Sequence, residues 1–155
     1  MHFSTIRKHG RNRVLGGLCL IGLAAASAGA SDIWMSDERL KAAFGGQTID
    51  GQYADGRTFR ERYANDGALD YREVKPPRRL RGHWSIIKRR FCTIYENSST
   101  GGCDRVRQVS ANCFEFYFET RTEEEARRST LRKPTWTARA WRTDSVSTCE
   151  ERPMV

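Results

Sequence analysis

A repeated turn constrains this chain more than anything else in it. Tyr53-Ala-Asp-Gly and Tyr63-Ala-Asn-Asp-Gly each close a short extended run. Asp-Gly readily takes the positive φ that a tight hairpin needs, so each marks the point where one strand doubles back beside the next. Two such units in succession describe an antiparallel meander. They do not describe a solenoid, which needs at least three repeats to bury a continuous core.

Extended runs occupy 48–53, 58–63 and 68–74, and Pro76-Pro77 then interrupts. Further runs at 80–87, 91–95, 105–109, 113–120 and 135–143 complete a set of eight. The clearest is 113–120. Phe114, Phe116 and Phe118 alternate with Glu115, Tyr117 and Glu119, which predicts one apolar face and one wet face. A short helix precedes the strands. Ser36 can cap it, Asp37 and Glu38 suit the positive end of its dipole, and Leu40, Ala43 and Phe44 share a face before Gly45-Gly46. Residues 122–128, with Glu123/Arg127 and Glu124/Arg128 four apart, fit one further helical turn. The fold class expected is mainly β: a small antiparallel meander of about eight strands closing into a barrel, since closure leaves no exposed edge. A two-sheet sandwich is the alternative. Trp34, Trp84, Trp136 and Trp141 are expected to fill the barrel rather than line a ligand cavity.

Residues 1–30 read as a secretory signal peptide. Arg7, Lys8, Arg11 and Arg13 precede an apolar run from Val14 to Ala25, and Ala28-Gly29-Ala30 supplies an A-x-A cleavage site before Ser31. That run is shorter than the roughly 20 residues a membrane-spanning helix needs. The expectation is a periplasmic or secreted protein cleaved between Ala30 and Ser31. Residues 31–155 then form a single β domain with a polar tail from about 145. The full chain carries a formal net charge of +8, and half of it leaves with the leader. What remains suits solubility and disfavours nucleic acid as a partner. Cys19 also leaves. Cys92, Cys103, Cys113 and Cys149 remain, an even number in an exported chain, which favours two disulfides over a metal site. Three pairings are possible, and the spacing does not choose between them. No metal and no cofactor are expected.

The order of motifs resembles a family of small exported bacterial proteins, the domain of unknown function 995. The resemblance rests on Gly51-x-Tyr53-x-Asp55-Gly56, Tyr63-x-x-Asp66-Gly67, Gly82-x-Trp84-Ser85, Phe91-Cys92 and the later Cys103. It implies a periplasmic, largely β domain with a Cys92–Cys103 disulfide, and it implies no activity. Cys113 would then pair with Cys149 and pin the tail. A regular hairpin turning near Ser99 would set Cys92 opposite a residue near Arg107, so this first pairing requires the loop to fold back.

The strongest candidate for binding is the basic stretch 78–90. Arg79, Arg81 and His83 share a strand face, Trp84 lies beside them, and Arg89 and Arg90 flank a presumptive turn. Arginine forks suit phosphate, sulfate or carboxylate, and an indole can stack on a sugar. The first functional reading is a non-enzymatic binding or interaction module whose partner is an anionic envelope component or another protein. The alternative is a small exported hydrolase using carboxylates near Glu115. Glu115 and Glu119 stand too far apart along a strand to act as a glycosidase pair. A histidine triad finds only His83 within residues 31–155. No catalytic residue is assigned. A filled barrel would favour the binder, and a pocket of convergent acidic groups the enzyme.

Overall fold

The computed structural model describes residues 32–150, and the leader and its cleavage site lie outside the described residues. Helix α1 (Asp37–Phe44) starts where Ser36 Oγ accepts the Arg39 amide and carries Asp37 and Glu38 in its first turn. Leu40, Ala43 and Phe44 form its buried face. Eight strands follow: β1 (Thr48–Tyr53), β2 (Thr58–Tyr63), β3 (Ala68–Glu73), β4 (Arg78–Ile87), β5 (Arg90–Tyr95), β6 (Gly101–Ser110), β7 (Cys113–Phe118) and β8 (Ala138–Arg142). Each pairs antiparallel with its predecessor, and β8 pairs with β1, so the meander closes into a barrel and the sandwich is excluded. A short helix α2 (Glu123–Arg127) interrupts the β7–β8 connection and begins with a Thr122–Glu125 capping box.

The Asp-Gly turns act as expected. Gly56 and Gly67 take φ of 94° and 91°, and the preceding aspartates accept the amides of Arg57 and Ala68. The β4–β5 turn is less ordinary. Lys88 and Arg89 both hold positive φ without being glycine. The Arg89 amide donates to Asp37 Oδ1 at 2.6 Å, and its guanidinium reaches Asp32 and the Trp34 carbonyl. These contacts hold the turn against the start of α1.

Two disulfides are present, Cys92–Cys103 and Cys113–Cys149. Cys92 and Cys103 are directly opposite on β5 and β6 because the chain turns at Asn97-Ser98, earlier than expected, with Asn97 at positive φ. No fold-back is needed. Cys149 is not the tail's only tether. The buried Asn112 amide donates to the carbonyls of Arg142, Ser145 and Val146 and accepts the Arg142 amide. Disulfides are compatible with an extracellular or periplasmic protein. Among the described residues, no helix is long and apolar enough to cross a membrane.

Two expectations about β7 are corrected. Its second face is not wet: Glu115 and Tyr117 are buried as fully as Phe114 and Phe116. Trp34, Ala126 of α2 and Trp136 pack with Tyr117 as a second apolar cluster outside the barrel wall. Phe118 is not inside but 61% exposed, because β7 ends there at the barrel mouth. The tryptophans are thus divided, with Trp84 in the barrel core and Trp34 and Trp136 in the outer cluster.

Candidate functional site

The two ends of the barrel are filled differently. At one end Phe44 of α1 inserts among Tyr63, Phe91, Phe114 and Phe116, with ring centroids 4.8–6.0 Å away. At the other end the interior stays open as a cavity of about 640 Å³. The expectation of a filled barrel therefore holds for only half of it. Gly51 helps shape the interior: a Cβ there would lie 2.2 Å from the Phe59 ring, which occupies that space.

Strand alternation places carboxylates on the cavity wall. On β2, Phe59, Glu61 and Tyr63 point inward, and on β3, Leu69, Tyr71 and Glu73 do. Glu61 accepts hydroxyls from Tyr63 and Tyr95, one on each oxygen. Glu73 accepts the Tyr71 hydroxyl at 3.0 Å on one oxygen and Arg57 at 2.9 Å on the other. Tyr53 and Tyr71 hydroxyls meet at 3.3 Å, and the Arg57 guanidinium lies 4.8 Å from the centre of the Tyr53 ring. The third carboxylate, Asp104 on β6, has one long partner, Thr137 Oγ1 at 3.4 Å.

Burial dominates the electrostatics. Desolvation raises Glu61, against the two tyrosine hydroxyls that favour its charge. Desolvation also pushes Asp104 up to about 6, and its weak Thr137 bond does little to oppose that. Tyr53, Tyr63, Tyr71 and Tyr95 are raised by burial, with the neighbouring carboxylates adding to the shift, so they remain hydroxyl donors at neutral pH. Among the described residues, Arg57 is the cavity-lining guanidinium that pairs with inward or rim carboxylates, Glu73 and Asp55. Arg78 and Arg121, nearer the mouth, are bonded to Ser98 and Glu125. The cavity is aromatic and rich in hydroxyls, with Asp55, Glu61 and Asp104 and three arginines, Arg57, Arg78 and Arg121, on its wall.

The residues singled out from sequence lie elsewhere. Arg79, Arg81 and His83 are exposed on the outer face of β4. Trp84 is not beside them: it points into the barrel, and its Nε1 donates to the Ala64 carbonyl at 2.8 Å. Arg89 is occupied by Asp32 and Trp34, and Arg90 pairs with Glu119 at 3.1 Å. The compact cationic hairpin is therefore split: Arg89 and Arg90 are paired with acidic groups, whereas Arg79 and Arg81 stand on the outer face of β4. Glu115 faces away from the cavity. Arg139 binds one of its oxygens at 2.6 Å and Tyr117 the other at 2.5 Å, so both are engaged within the protein.

Glu61, Glu73 and Asp104 were missed, yet β2 and β3 carried a signal. Glu61 falls between Phe59 and Tyr63 in the inward register, and Glu73 follows Leu69 and Tyr71 in theirs. A carboxylate in the apolar register of a strand is costly unless partnered, and so marks a built site. Among the described residues, no three His, Cys, Asp or Glu side chains are grouped to hold a metal ion. Compared with family models, curated proteins and solved structures, the chain matches none.

Proposed function

We propose that this protein is an exported, non-enzymatic binding module that takes a small organic cation with an apolar body into the open end of its barrel. One observation carries the reading: Glu61 and Asp104 line an aromatic cavity, and among the described residues neither is ion-paired, Glu61 being held by tyrosine hydroxyls and Asp104 by Thr137. A protonated amine or quaternary ammonium entering there would meet Asp104, whose charge has no cationic partner among the described residues. The rings of Tyr53, Phe59, Tyr71 and Tyr95 would supply apolar contact and cation–π attraction. An anion seated beside Glu61 and Asp104 would meet like charge at low dielectric, so the anionic ligand first expected is not proposed for this site.

The periplasm is the compartment proposed, on the leader, the two disulfides and the motif order resembling the domain of unknown function 995. Intact mass of exported protein should begin at Ser31. A chain retaining Met1 would remove that support.

A hydrolase reading has two observations in its favour, an open pocket holding acidic groups and the raised Asp104 within it. Acid–base hydrolysis needs a second available carboxylate, and both oxygens of Glu61 and of Glu73 are already engaged. Binding is therefore the better-supported function. Calorimetric titration with benzylammonium, benzyl alcohol and benzoate tests it at constant ring size. Affinity should fall in that order. Benzoate binding as tightly as benzylammonium would overturn the proposal.

A further inference from the structure

The outer face of the barrel carries a second arrangement, independent of the cavity. Strand register sets Arg60 opposite Arg72, and Arg72 opposite Arg79. Three guanidiniums thus form a row across β2, β3 and β4. The adjacent row on the same face is Arg62, Asp70 and Arg81. All six side chains are exposed. Asp50 meets Arg60 at 2.6 and 2.7 Å. Among the described residues, Arg62, Arg72, Arg79 and Arg81 take part in no side-chain hydrogen bond or ion pair.

Like charges directly opposite on paired strands destabilise the sheet. A row of three repeats that cost, and Asp50 relieves it only at the β1 end. The free charge belongs to this face rather than to the β4–β5 turn, where Arg89 and Arg90 already have partners. We infer that Arg72 and Arg79, with Arg62 and Arg81 in the next row, bind a linear acidic polysaccharide that carries a carboxylate on each sugar.

Three features favour that ligand. Adjacent strands lie about 4.8 Å apart, so the row repeats its charge at close to the length of one pyranose unit. Arginine forks accept carboxylates in bidentate fashion, which also orders the bound chain. Single-stranded nucleic acid would want aromatic rings for its bases, and neither row carries one. An anionic bilayer would gain no apolar contact from six charged side chains.

The test uses hexagalacturonate as probe, at 20 mM and 500 mM salt, with neutral cellohexaose, a thymidine hexanucleotide and phosphatidylglycerol vesicles as comparison arms. The Arg72→Gln, Arg79→Gln double variant is set against Arg132→Gln, Lys133→Gln, which removes the same charge from an exposed loop. Wild type should bind hexagalacturonate at low salt and lose it at high salt as the Debye length shrinks. The row variant should bind at least about tenfold more weakly, and the loop variant as wild type does. The row variant should melt no lower than wild type, since it loses a like-charge pair, and should match it in benzylammonium titration, which separates this site from the cavity. Equal losses in both variants would overturn the inference. So would no hexagalacturonate binding, or tighter binding to the oligonucleotide or the vesicles.

Discussion

The closed and open ends of this barrel share one wall and one strand alternation but differ in what the inward positions carry. At the closed end, Phe44, Phe91, Phe114 and Phe116 meet ring to ring beneath α1. At the open end, Glu61, Glu73 and Asp104 replace apolar side chains, and tyrosine hydroxyls hold the first two. The first arrangement stabilises, because ring surface leaves water. The second gives up some of that stability, because buried carboxylates are expensive even when hydrogen-bonded. That cost, taken in one half of the interior only, is what the proposed cation site rests on.

The largest effect should come from the closed end. Phe44→Ala removes a ring packed against four others and should cost about 3–5 kcal/mol in urea denaturation. Its effect on the cavity should be small if the folded fraction is accounted for. A comparable loss of benzylammonium affinity in the folded protein would show that the ends are not separable.

Next comes the Cys113–Cys149 bridge, which ties the tail beside the first residues of β7 across a sequence separation of 36. Replacing both cysteines with alanine should cost about 4 kcal/mol by loop-closure entropy and increase proteolysis after Thr143. Unchanged denaturation would mean that the Asn112 hydrogen bonds hold the tail without the disulfide.

The open end should behave oppositely. A carboxyl whose folded pKa is raised contributes stability below its unfolded value and loses it as pH rises through the folded one. For Asp104 that window runs from 3.8 to about 6. Asp104→Asn should therefore stabilise the protein by about 2–3 kcal/mol at pH 7, with the gain vanishing below pH 4. Denaturation midpoints across that range check the sign. A variant destabilised at pH 7 would show that the Asp104 charge is structurally supported.

The smallest change concerns Arg57, which is half exposed and answers both Asp55 and Glu73. Arg57→Gln should lower stability by about 1 kcal/mol or less, the scale of a partly exposed pair. It should strengthen benzylammonium binding by removing the competing cation. Weaker binding would place Arg57 on the side of the ligand.

The same comparison explains what could be read from the sequence. Turn chemistry is local, so Asp55-Gly56 and Asp66-Gly67 located the hairpins, and eight short runs suited a closed meander, with the sandwich left for the structure to exclude. Capping is local too, so Ser36 located α1. Coverage of a strand's outer face is not local. Nothing in residues 113–118 says that Trp34 and Trp136 lie over Tyr117, so β7 read as half wet. The cavity was partly legible, since Glu61 and Glu73 sit in apolar registers. Asp104 sits in a strand with no comparable alternation, and only the barrel's closure brings it near Glu61. The attention drawn to 78–90 followed charge density in sequence, whereas the unpaired charge is organised across strands, with Arg62 and Arg72 beside Arg79 and Arg81.

The most direct test of the cavity is the affinity for benzylammonium as a function of pH, since this amine stays protonated while Asp104 titrates. Wild type should bind about tenfold more tightly at pH 7.5 than at pH 4.5, with a midpoint near the Asp104 value of about 6. Asp104→Asn should bind weakly and show no such step. A flat wild-type profile, or the same step in the variant, would contradict the assignment of the open end as a cation site.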